Sequence, residues 1–146
     1  MQLNGKHTFN ASATTIWKML MDADTLAEIT PGITRLEPTG EDQYKAIADV
    51  KMGPVKGSFS GDLEVAEKDE PNRFLLKVKQ NSKIGNVAAD VSIELNELSE
   101  NETELSFNGD ARLSGLLART GNRVMTGVAN TLTKQFFQAM EEKINQ

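Results

Sequence analysis

Apolar and polar side chains alternate from the first residues, with Leu3, Gly5, His7 and Phe9 on one face and Gln2, Asn4, Lys6 and Thr8 on the other. That period predicts a half-buried β-strand. The pattern then changes. Asn10 and Ser12 offer N-cap oxygens ahead of Ile16, Trp17, Met19, Leu20 and Met21, whose spacing gives one apolar face of a short helix. Asp22 or Asp24 can cap a second short helix through Leu26 and Ile29, ended by Pro31-Gly32. From Ile33 onward, turn sequences at 39–42, Gly53-Pro54, 69–72, 83–85 and 99–101 separate a series of strands. In one of them Val55, Gly57, Phe59, Gly61, Leu63 and Val65 oppose Lys56, Ser58, Ser60, Asp62 and Glu64, and 87–95 and 103–113 repeat the alternation. One sheet face is wet throughout, which is the signature of antiparallel strands covered on one side.

After Ser114 the strand period is lost and no proline follows. Leu117, Val124, Val128, Leu132, Phe136 and Met140 stand seven, four, four, four and four residues apart, one stripe of a helix long enough to cross the sheet. The sequence therefore predicts a single α+β domain over 1–146. Its expected architecture is a helix grip: a curved antiparallel sheet of about seven strands around a long C-terminal helix, with two short helices after strand one.

Composition narrows the function. A chain of 146 residues with 25% charged side chains is ordinary for one globular domain, so no second domain or disordered tail is expected. Sixteen basic against 21 acidic residues leave a net charge of −5, which argues against nucleic acid as a partner. With no cysteine and one histidine, thiol chemistry is excluded and only carboxylates remain for a metal, so neither a metal nor a cofactor is expected. The N-terminus lacks a secretory pattern and no apolar run is long enough to span a bilayer, so the expected compartment is the cytoplasm.

The inward positions are unexpectedly small. Gly57, Gly61, Ala89, Gly109 and Ala111 fall on the apolar faces of long strands, and Gly121 and Gly127 lie inside the expected helix. One reading is room, an apolar hollow that accepts a ligand. The other is bending, since glycines permit bulges and close approach of neighbouring backbones. His7 is either a hydrogen-bonded core residue or an acid, base or polar anchor, and no Ser, Asp or Glu stands at a spacing that visibly pairs with it. Arg112, Arg119 and Arg123 gather where the last strand meets the helix, as a solvated face or as a contact for an acidic partner or headgroup.

Several segments in this order resemble the CoxG-like group, named for the CoxG subunit of carbon monoxide dehydrogenase, within the START-like (SRPBCC), Bet v 1-like helix-grip superfamily related to polyketide cyclases. The segments are Leu3-Asn4-Gly5 with Phe9, Ile16 through Asp22, Pro31-Gly32-Ile33, Lys51 through Gly57 with Phe59 and Gly61, Gly115 through Ala118 with Gly121 and Arg123, and Phe136-Phe137. The resemblance implies an accessory factor to a molybdenum hydroxylase of the carbon monoxide or xanthine dehydrogenase type, with peripheral contact with a membrane. It also implies an apolar small molecule, lipid- or quinone-like, held between sheet and helix. Family members often extend beyond the long helix for membrane attachment, whereas this sequence ends at Gln146. His7 stands where the family carries an apolar residue, and Gln80, Ser82 and Ala89 where it carries glycines.

The expected function is therefore non-catalytic binding of an apolar molecule. Met52, Val55 and Phe59 would line its cavity from one hairpin, Ala89, Phe107 and Ala111 from the last two strands, and Leu117, Val124 and Val128 from the helix. Ile29 and Pro31 would stand at the mouth. Two alternatives are a ligand-free adaptor docking on such an enzyme and a small cyclase or hydrolase using His7. The first requires a filled interior, and the second requires another polar group beside the imidazole.

Overall fold

Strand β1 (Gln2–Phe9) ends where Ser12 turns the chain, accepting a hydrogen bond from the Thr15 backbone N–H to start helix α1 (Ala13–Met21). Asp22 repeats the device for α2 (Ala23–Ile29): its carboxylate accepts from the hydroxyl and the backbone N–H of Thr25, which holds the carboxyl below its ordinary range. Six strands follow, β2 (Ile33–Gly40), β3 (Gln43–Met52), β4 (Val55–Asp69), β5 (Arg73–Ser82), β6 (Gly85–Ser99) and β7 (Glu102–Leu113). In the computed structural model, which describes residues 1–146, they join β1 in a seven-stranded antiparallel sheet ordered β1-β7-β6-β5-β4-β3-β2.

Every turn expected between the strands is present, and the alternation holds. Val55, Phe59 and Val65 are buried while Lys56, Ser58, Ser60 and Asp62 are exposed. At Gly61 and Gly109 the strands come so close that a side chain has no place: a Cβ would stand 1.9 Å from the Lys79 carbonyl oxygen and 2.3 Å from that of Asp90. Close approach of the neighbouring strands thus accounts for these two glycines.

The C-terminal helix is not continuous. Gly121, at φ 99°, divides it into α3 (Gly115–Thr120) and α4 (Asn122–Ile144). The break resets the rotation of the helix, so the interval from Leu117 to Val124 does not carry the stripe across it. Val124 is 42% exposed, and its neighbour Met125, 6% exposed, turns to the core in its place. Gly127 faces open space on the outer side of α4.

The core falls into two clusters. The larger joins Phe9, Ile16, Trp17, Leu20, Phe74 and Met140, where α1, α2 and the end of α4 meet the sheet. Ile29 belongs here at 2% exposure, on a helix that lies against β2 and α4. Thr103, the one fully buried polar residue, donates its hydroxyl to the Ala11 carbonyl 2.8 Å away and ties β7 to the start of α1. The smaller cluster, Val55, Phe59, Leu117, Met125 and Val128, lies under α3 and the start of α4.

Candidate functional site

The inward positions that separate the two clusters carry mostly small side chains. Strand β3 passes from Val50, packed on the smaller cluster, through Ala48 and Ala46 to Tyr44, packed on the larger. On β4 the positions between Phe59 and Val65 are Gly61 and Leu63. On β6 those between Val87 and Ile93 are Ala89 and Val91, and on β7 those between Leu113 and Phe107 are Ala111 and Gly109. Ala89 and Ala111 are direct cross-strand partners. Ala46, Ala89 and Ala111 are buried but belong to neither cluster, and the backbone of α4 comes closest to β1, α2 and α3 rather than to the central strands over this belt.

Of the residues expected to line a cavity, Val55, Phe59, Leu117 and Val128 meet in the smaller cluster, with Met52 against it. Ala89 and Ala111 form the belt, Phe107 packs on the larger cluster, and Pro31 is half-buried beyond α2. The exposed Val124 does not join them.

A second feature lies along the edge strand. Between β1 and the outer half of α4 a cleft of about 520 Å³ is bordered by Gly5, His7, Phe107, Phe137, Lys134 and Glu141, among others. His7 lies 5.1 Å from the Phe137 ring, nearly parallel at 22°, and 4.6 Å from Phe9, while its Nε2 is bonded to a Glu141 carboxylate oxygen. The imidazole therefore has a partner, which sequence spacing did not reveal because the two residues are 134 positions apart. A glutamate in the last turns of the expected helix was the only available signal. Arg112, Arg119 and Arg123 are exposed. No cluster of three or more His, Cys, Asp or Glu side chains is placed to hold a metal ion, and no helix is long and apolar enough to cross a membrane.

Comparison with known proteins agrees with this architecture. A crystallised conserved protein from Geobacillus kaustophilus superposes with a TM-score of 0.96 at 30% identity, covering 99% of this chain and 95% of that one. A START superfamily protein from Mycobacterium smegmatis matches at a TM-score of 0.77 and 16% identity over 99% of this chain and 97% of that one. The Zhui aromatase/cyclase of a Streptomyces species matches at 0.74 and 12% over 98% and 92%. These last two share the fold, a helix grip of the START type. A search among curated proteins gave no match. The model of the family described as the CoxG subunit of carbon monoxide dehydrogenase matches residues 5–145, so the chain belongs to the CoxG family.

Proposed function

We propose that this protein binds an apolar small molecule, lipid- or quinone-like, between the sheet and α4, and does no chemistry on it. The observation that carries the reading is the belt of Ala46, Ala48, Ala89 and Ala111 dividing two apolar clusters. A contiguous core would be the simplest way to bury a sheet face, and interiors ordinarily fill such positions with bulky side chains. A ligand lying on the belt would meet Phe59, Leu117 and Val128 at one end and Phe107 toward the other, gaining about 25 cal/mol for each Å² of apolar surface removed from water.

Membership of the CoxG family supports a role as accessory factor to a molybdenum hydroxylase of the carbon monoxide or xanthine dehydrogenase type, in the cytoplasm and in peripheral contact with a membrane. An adaptor that binds no ligand is the competing reading, and a solidly filled interior would favour it.

Native mass spectrometry of the gently purified protein, followed by organic extraction, tests the proposal. We expect a reproducible apolar adduct, or binding of an added short-chain quinone that raises the melting temperature. A bare mass in every preparation, with no thermal shift from added quinones or lipids, would leave the adaptor.

A further inference from the structure

The edge cleft is chemically unlike the interior belt. Its apolar wall is aromatic: Phe107 lies over Gly5, where a Cβ would come within 2.9 Å of its ring, and Phe137 stands 6.1 Å from Phe107 between centroids. Lys134 borders it from α4, whereas Lys6 stands on the face of β1 opposite His7. Lys134 is not engaged in an ion pair.

His7 completes the set. A carboxylate only accepts hydrogen bonds, so the bond to Glu141 requires a proton on Nε2 and leaves Nδ1 as the ring's other hydrogen-bonding atom. Nδ1 has no partner within the protein, and the half-buried His7 has no buried unpaired side-chain nitrogen. It therefore reaches solvent, and the solvent beside His7 is that of the cleft. The ring is held from behind by Phe137 and at its far nitrogen by Glu141, so its orientation is set before any ligand arrives.

We propose that this cleft is a binding site for a hydroxylated aromatic carboxylate. The flat ring packs on Phe107 and Phe137, the hydroxyl hydrogen-bonds with His7 Nδ1, and the carboxylate is drawn by Lys134. Each part of the ligand answers one feature of the wall: an aromatic face, a ring nitrogen without a partner, and an ammonium group without an anion. An aliphatic lipid would leave the ring nitrogen and the ammonium group unmatched. The site opens beside β1 and shares Phe107 with the belt site.

Titration of 15N-labelled protein with 4-hydroxybenzoate and, separately, benzoate tests it. The expected result is saturable shifts of residues 4–7 and 130–141, with a dissociation constant of about 1 mM or below for the hydroxylated acid. Benzoate should bind several-fold more weakly. In His7→Phe, which keeps a flat ring against Phe137, that preference for the hydroxyl should vanish. Lys134→Met, on the exposed side of α4, should weaken both acids several-fold. No saturable shift, shifts centred elsewhere, or a hydroxyl preference that survives in folded His7→Phe would each overturn the proposal. Should His7→Phe fail to fold, unchanged affinities in Lys134→Met would overturn it alone.

Discussion

Gly61→Ala should lower the melting temperature by roughly 10 °C or more, whereas Gly57→Ala, four positions earlier on the same strand, should be neutral or slightly stabilising. Both glycines face inward on β4, and both are surrounded by the same sheet. They differ in what a methyl group would meet. At Gly61 the new Cβ would overlap the Lys79 carbonyl at 1.9 Å and stand 2.9 Å from its carbon, both backbone atoms of a paired strand. Relief requires β4 and β5 to separate locally and lose ladder bonds, at a cost of about 3 kcal/mol or more. At Gly57 the Cβ would meet only the flexible end of Ile84 at 3.5 Å, an ordinary contact. The gain in chain stiffness is then worth about 0.5–1 kcal/mol. Thermal denaturation of the two variants separates the cases. Equal melting temperatures would mean that the approach at Gly61 is not the reason for its glycine.

Met125→Ala should cost about 2–5 kcal/mol, while Val124→Ala, its immediate neighbour, should stay within about 0.5 kcal/mol of the parent. Met125 is buried in the smaller cluster together with Phe59, Leu117 and Val128, so truncation opens a void in it. Val124 is 42% exposed and loses little on truncation. For a domain of this size the difference corresponds to roughly 5–15 °C in melting temperature. A larger loss at Val124 than at Met125 would restore the continuous helix and refute the break at Gly121.

The sheet was legible because each strand obeys its own period and each turn carries its own chemistry. Leu63 and Asp62 could not exchange faces without inverting the whole of β4. The caps at Ser12 and Asp22 were equally local, a side-chain oxygen three residues ahead of the backbone N–H it accepts from. The break at Gly121 was harder to read, because a glycine within an apolar stripe looks like a costly but tolerated interior residue. The clue was the pair Gly121-Asn122, the residue types that end one helix and begin another. The pairing of His7 with Glu141 was beyond reach: which turn of α4 lies over β1 depends on where the helix restarts, and no periodicity in either segment encodes it. Exposure of Val124 and burial of Ile29 follow from the same long-range docking.

Whether the belt between the clusters accepts an apolar ligand is tested most directly by the melting temperatures of Ala89→Phe and Ala111→Phe taken without ligand. The two alanines face one another across β6 and β7. If the space above them is available, each phenyl ring supplies the contacts a ligand would make, and stability should hold or rise. The same variants should lose any co-purifying apolar molecule. In an already filled interior each ring would instead cost about 1–3 kcal/mol through overpacking, lowering the melting temperature by several degrees in both variants. That fall would contradict the binding reading and leave the adaptor in its place.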